Sequence, residues 1–478
     1  MGKRVADFCF LAIVMSLVSI IGEAQTIARD ELPRGVLIEK VACLNDNAQS
    51  YALYLPSNYT PDKKWAILYA FDPFAQGKVP VEIFRDAAER FGFIVVGSNN
   101  SQNNSGLQKL TETITAFWTD SHARFSIDEK RLYATGLSGG ARVANYFAAS
   151  CRGCVAGVIA CGATFTPNFP LDRSLPFSIF GTVGTDDFNY PELVKTFEKL
   201  NEIGITNRLD VFDGRHGWLT KDLTFDALEW MNLQAMKSGR LERDKKFVES
   251  LLAKQTNKAQ TLAENGGFLE AARIYENITS DFKDISETKN TSEKLAEIKR
   301  QKSYKKLADE EKDSFDEQYK RAKIIVAMGA TLRDSTSNKN AARQQVTNEV
   351  ESWRQKAKAS ADSNERRLAR RILGQVFVET YEAALYVNER QKDYKTMIAN
   401  LELTRLINPQ NSNTLLELAR AYAFGDRKKD ALDALTEAVK NGFSDCAQII
   451  DKVEWTNLRQ DKQFQKIVGQ MNCGEKGI

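Results

Sequence analysis

The chain has 478 residues, 42% of them hydrophobic and 27% charged, with 66 basic against 63 acidic side chains and a formal net charge of +3. This near-balance, with no aromatic–basic motif and no Walker loop, gives no footprint for nucleic acid, and the length allows more than one domain with a full core. Seven cysteines and two histidines include no set at zinc-site spacing, so neither a metal nor another cofactor is expected.

Lys3 and Arg4 precede an apolar run over residues 8–22, and Gly22-Glu23-Ala24 has the small-residue character of a cleavage site. The pattern predicts a secretory signal peptide over 1–24, too short for a comfortable bilayer span, with an uncleaved anchor as the alternative. The expected mature protein is secreted or periplasmic, with no stable membrane span after cleavage. Export favours disulfides. Cys151-Arg152-Gly153-Cys154 is then a structural bridge or a pair of buried thiols, and Cys446 and Cys473 flank the last helical segment and could staple it.

From residue 37 to 237, short apolar runs alternate with helical patterns. Strands are expected at 51–55, 66–70, 93–97, 131–134, 155–160, 177–181 and 208–212, and helices at 82–90, 107–123, 141–150, 191–203 and 221–236. Such alternation predicts a mainly parallel sheet with helices on both faces. The polar loop Ser98-Asn99-Asn100-Ser101 leaves the carboxyl end of a strand, where open sheets bind ligands, so Asn99, Asn100 and Ser101 are candidate substrate contacts. An ordinary polar loop is the competing reading.

Gly136-Leu137-Ser138-Gly139-Gly140 is a G-x-S-x-G motif between a predicted strand and a predicted helix. That context makes it a nucleophile elbow, with Ser138 the candidate nucleophile. The helix N-terminus offers main-chain N–H groups to an oxyanion, the first being that of Gly139. The second donor is sought in Phe71-Asp72-Pro73-Phe74; proline has no N–H, so Asp72 or Phe74 is the candidate. An acid and a histidine should follow in that order. The strand at 177–181 runs into Asp186-Asp187; Asp187 is favoured as the orienting acid, Asp186 is the alternative, and the other aspartate is expected to serve the turn. His216, in a glycine-flanked loop after the strand at 208–212, is the candidate general base. His122, before the serine, reads as a solvated or helix-capping residue.

After residue 237 proline nearly vanishes and Lys, Glu, Ala, Leu, Gln and Arg dominate, a helical composition. The charged stretch 279–375 predicts long helices with solvated faces. Small residues recur at helix–turn–helix spacing over 259–275 and 415–432, with a degenerate copy over 381–406. These stretches resemble tetratricopeptide repeats, which implies a docking surface for a protein partner; a helical buttress is the competing reading. Because serine, acid and histidine all precede residue 217, this half is expected to supply no catalytic group.

The elbow, Gly184-Thr185-Asp186-Asp187 and Gly214-Arg215-His216-Gly217-Trp218 together resemble the α/β-hydrolase superfamily, closest to polyhydroxybutyrate-depolymerase, feruloyl-esterase and dienelactone-hydrolase-like esterases. The resemblance implies an α/β-hydrolase domain over 37–237, followed by a helical region over 238–478. It also implies hydrolysis of a small or polymeric carboxylic ester through an acyl-serine. Many such enzymes carry His-Gly after the third strand where this chain has Phe71-Asp72-Pro73. Two other readings compete: a catalytically inactive hydrolase fold acting as a helical scaffold, and a prolyl-oligopeptidase-type peptidase, which the lack of a propeller disfavours.

Overall fold

The computed structural model describes residues 32–333, 339–359, 363–450 and 452–471; the expected leader and Cys473 lie outside them. Strands β1 (Leu37–Cys43), β2 (Asp46–Tyr54), β3 (Trp65–Phe71), β4 (Phe93–Ser98), β5 (Ile127–Leu137), β6 (Val155–Cys161), β7 (Ser178–Gly184) and β8 (Asn207–Phe212) form one eight-stranded sheet. Its order is β1-β2-β4-β3-β5-β6-β7-β8. β1 pairs antiparallel with β2, and β2 with β4; all other pairings are parallel. β3, β4 and β6 are buried along their length, as strands covered on both faces must be.

β1, which no apolar run in the sequence announces, is an edge strand whose pairing with β2 shifts register twice. β5 begins before the expected 131–134, with Glu129 and Lys130 exposed near its start. Both departures have one cause: the polar ends of strands lack the apolar run that marks their centres.

Side chains alternate between the two faces of each strand. One face, with Ile67, Tyr69, Phe71 and Val96, packs on α2 (Leu107–Arg124), α3 (Gly139–Ser150) and α4 (Tyr190–Ile203) through Phe117, Ala144 and Phe197. The other, with Leu68, Phe93 and Val95, packs on α1 (Lys78–Phe91) and α5 (Lys221–Lys237) through Phe84 and Trp230. α5 opens on Thr220, whose hydroxyl accepts from the Leu223 N–H. Cys151 and Cys154 form a disulfide just after α3, and Cys446 is also disulfide-bonded.

From Lys245 the chain is helical: α6 (Lys245–Glu264), α7 (Phe268–Asp281), α8 (Lys289–Arg300), α9 (Lys302–Ala330), α10 (Lys339–Ala357), α11 (Asn364–Arg390), α12 (Tyr394–Ile407), α13 (Ser412–Phe424), α14 (Lys428–Lys440) and α15 (Lys462–Gln470). The three repeat-like stretches fall on the helix–turn–helix pairs α6–α7, α11–α12 and α13–α14. Buried alanines, among them Ala259 and Ala271 in the first pair and Ala421 and Ala431 in the last, let the axes approach closely. Among the described residues no helix is long and apolar enough to cross a membrane.

The helices join the sheet through a buried polar cluster. Arg208 of β8 holds both oxygens of Asp210 at 2.8 and 2.9 Å and lies 3.8 Å from Asp281 at the end of α7. Asp281 also accepts from Trp230 Nε1 of α5 at 2.7 Å. Nearby, Tyr190 at the start of α4 donates to Glu311 of α9 at 2.6 Å, and Arg273 of α7 pairs with the same carboxylate.

Candidate functional site

β5 ends at Leu137 and α3 begins at Gly139, so Ser138 alone makes the turn. Its backbone has φ 53° and ψ −118°, outside the comfortable region for any residue with a β-carbon. Such strain persists only where the surroundings enforce it. They do so here: the Ser138 N–H donates to Cys161 O at 2.8 Å at the end of β6, and a β-carbon on Gly140 would collide with Phe71 O at the end of β3. Burial among these strand ends pushes the Cys161 thiol up to about 11, which makes it an inert packing group.

The loops after β7 and β8 continue their pairing beyond the strands. Thr185 N–H donates to Phe212 O at 2.9 Å and Asp186 N–H to Gly214 O at 2.8 Å. This register carries His216 onto Asp187. Nδ1 of His216 lies 2.9 Å from each oxygen of Asp187, whose side chain is 1% exposed against 23% for the histidine. The Asn189 N–H also donates to Asp187 Oδ1 at 2.8 Å and fixes the carboxylate. Both groups rest against Gly162: a β-carbon there would lie 2.9 Å from His216 Cε1 and 3.1 Å from Asp187 Oδ2. Gly162 follows Cys161, which receives the Ser138 N–H, so serine, histidine and acid surround one turn.

Asp186 lies in the turn after β7, as expected, and its side chain has a further role. Its side chain, 2% exposed, accepts from Arg370 Nη1 of α11 at 2.6 Å. A partner 184 positions away in sequence leaves no local signal. His122 packs by stacking on Trp118 with ring centroids 4.1 Å apart, and its Nδ1 lies 2.8 Å from Trp118 O.

In the loop after β3, Asp72 is buried and its Oδ1 accepts from the Phe74 N–H at 2.9 Å. That bond occupies the Phe74 donor and leaves the Asp72 N–H as the second candidate beside Gly139. Asp72 Oδ2 accepts from Trp218 Nε1 at 3.0 Å, which ties this loop to the histidine loop.

The polar loop after β4 is divided. Asn99 Nδ2 donates to Glu39 O at 3.1 Å and Asn100 Nδ2 to Ala48 O at 3.1 Å, so both side chains pin the β1–β2 edge. Ser101 is 3% exposed, its N–H donating to Ser98 Oγ. The side-chain amides of Asn99 and Asn100 are thus committed away from the elbow. The residue that reaches it is Asn103, whose side-chain amide occupies the space a β-carbon on Gly139 would need. It belongs to the same asparagine-rich run, and only the turn that bonds Asn103 N–H to Pro73 O at 2.9 Å singles it out. Arg142 of α3 and Glu192 of α4 also flank the site, 3.8 Å apart, and burial pushes the Glu192 carboxyl up.

The helical half, expected to supply no catalytic group, nonetheless reaches the loops around the site. Besides Arg370 on Asp186, Gln318 of α9 donates to Phe188 O at 2.7 Å, and Gly374 of α11 packs on the Phe188 ring. That ring lies 4.4 Å from the His216 ring. A cavity of about 780 Å³ opens here, bounded by Phe188, Arg215 and His216 on one side and by α10, α11 and the turn after α12 on the other. The 279–375 stretch therefore turns part of its charge inward: Arg371 is 5% exposed and Asp281 2%. Among the described residues no cluster of His, Cys, Asp or Glu could hold a metal ion.

No family model and no curated protein matches the chain. Among solved structures, it is similar to the fluorophosphonate-binding serine hydrolase F of Staphylococcus aureus, at 14% identity and a TM-score of 0.35, over 42% of this chain and 99% of that one. It is similar to a ferulic acid esterase at 18% identity and a TM-score of 0.35, over 42% and 98%. It is also similar to Est1E from Butyrivibrio proteoclasticus at 16% identity and a TM-score of 0.33, over 41% and 99%.

Proposed function

We propose that this protein is a serine hydrolase that cleaves carboxylic esters through an acyl-serine. The observation that carries the reading is the strained Ser138 at the β5–α3 turn with the Asp187–His216 pair against the adjoining Gly162. Ser138 Oγ attacks the ester carbonyl and passes its proton to His216 Nε2. Asp187 holds Nδ1–H, fixes that tautomer and stabilises the imidazolium. The carbonyl oxygen becomes an oxyanion facing the N–H groups of Gly139 and Asp72. Collapse expels the alcohol, which takes the proton from His216. Water then attacks the acyl-serine by the same route and releases the acid. The Cys151–Cys154 disulfide supports export to an oxidising compartment.

A fluorophosphonate probe tests the reading. It should label the intact protein at Ser138, and Ser138→Ala should abolish labelling and lower ester turnover by roughly three or more orders of magnitude. One half-exposed hydroxyl removed from a turn should leave the circular dichroism spectrum unchanged. Undiminished hydrolysis in that variant would exclude the mechanism.

A further inference from the structure

The cavity beside His216 has two chemical parts. Phe188, Leu373, Phe377, Val378 and Ile407 make it largely apolar. Arg215, Arg354, Lys358 and Arg370 set four cations around it against one carboxylate, Asp186. Two of these cations are committed, Arg370 to Asp186 at 2.6 Å and Arg354 to Glu351 at 2.7 Å. Arg215 and Lys358 are exposed, and among the described residues neither has a carboxylate within ion-pair distance. The Arg370 Nε also donates to Ala357 O at 2.9 Å, which holds the end of α10, and with it Lys358, at the cavity.

The position decides which part of an ester enters. In a serine hydrolase the histidine hands its proton to the leaving oxygen. Among Ser138, Asp187 and His216, only His216, the group that would hand over that proton, lines this space. Its volume of about 780 Å³ lies within the roughly 300–1,000 Å³ of sites that enclose drug-sized ligands, far beyond the needs of methanol or ethanol.

We propose that this cavity receives the alcohol portion of the ester and selects a bulky apolar alcohol that carries an anionic group. The inference rests on the hydrolase reading above. The apolar walls desolvate the body of the alcohol, and Arg215 and Lys358 meet its charge at the solvent-exposed rim. The helical half is thus the specificity element of the enzyme.

The test holds the acyl group constant. The full-length protein is assayed on the acetate esters of para-hydroxyphenylacetate and para-hydroxyphenylacetamide, which differ in charge with the reacting bond insulated by a methylene. The anionic ester should be preferred in kcat/KM, mostly through KM, and the preference should shrink as salt rises. Arg215→Ala with Lys358→Ala should lower the ratio of the two kcat/KM values by about five-fold, while Lys358→Arg should hold it. Moving the charge to the acyl side, as the mono(para-nitrophenyl) ester of adipate against the hexanoate, should bring no comparable preference. Equal kcat/KM for the two acetates with intact fluorophosphonate labelling would overturn the cavity assignment and spare the hydrolase reading. Absence of labelling and of all ester hydrolysis would overturn both.

Discussion

The sheet half and the helical half are stabilised in different ways. In the sheet half, two broad apolar clusters cover the two faces of one sheet, and each strand contributes to both. In the helical half the apolar contacts fall into separate clusters: one at α6–α8 that includes Leu233 of α5, one at α9–α12, and one that runs from α11 to α15. Helices stacked this way bury their apolar stripes only against neighbours. The buried charged side chains among the described residues of the helical half are Asp281 and Arg371, and both reach the sheet half, at Arg208 and at Thr185 O. A polar joint of this kind has directional partners, so it fixes one orientation where an apolar joint would tolerate several. The orientation matters because the joint includes the loop that carries Asp187 against His216.

The largest test of this contrast is to remove the helical half. A chain that ends near residue 238 loses every partner at the joint. Trp230 Nε1 loses Asp281, Tyr190 loses Glu311 and Arg273, and the apolar contact of Phe315 with Val183, Leu193 and Val194 disappears. Buried polar groups without partners cost about 1–3 kcal/mol each, a large share of a domain's stability. The truncated chain should aggregate or melt far below the full chain, and its ester hydrolysis should be lost, as judged by sedimentation, circular dichroism and assay on a small acetate. A folded, soluble fragment with unchanged kcat/KM would make the helices dispensable to the site.

What the sequence disclosed follows the same division. The central strands, the strand–Ser138–helix turn and the loops that carry Asp187 and His216 were legible because each is a local pattern: an apolar run, a glycine-spaced turn, a polar loop after a strand. Asp187 and Asp186 could be ranked but not separated, because they are neighbours and only β7–β8 pairing decides which one meets Nδ1. Arg370, Gln318 and Phe188 gave no signal, since their roles depend on contacts between residues far apart in the chain. Asn99 and Asn100 were misplaced for a related reason. An asparagine-rich loop looks alike whether its amides face a ligand or, as here, the carbonyls of a neighbouring edge strand.

The adjacent aspartates allow a finer test of the two halves. Asp187→Asn keeps the shape but removes the charge that holds the imidazole tautomer. It should lower kcat on the order of a thousand-fold or more with little change in melting temperature. Asp186→Asn instead weakens the tie to Arg370. It should cost about 1–3 kcal/mol in urea unfolding and comparatively little kcat. The reverse ranking in kcat would transfer the orienting role to Asp186.

The smallest predicted effect concerns pH and the Arg208–Asp281 contact. Burial pushes the Asp281 carboxyl from an ordinary value of 3.8 up to about 6, against the pull of Arg208. A folded-state pKa above the unfolded one means that the folded protein binds this proton more tightly between the two values. The contribution of Asp281 is therefore most favourable below about pH 4 and is lost as pH rises through about 6. Asp281→Asn cannot titrate yet still offers an oxygen to Trp230 Nε1. The stability of the wild type relative to this variant should therefore decline by roughly 1–3 kcal/mol between about pH 4 and pH 7. Urea unfolding followed by tryptophan fluorescence would measure it at each pH, and taking the difference removes the other carboxylates from the comparison. A relative stability that rises over the same interval would mean that Arg208 keeps Asp281 ionised in the folded state, and that the joint is an ion pair at every pH rather than a protonated hydrogen-bonding group at the acid end.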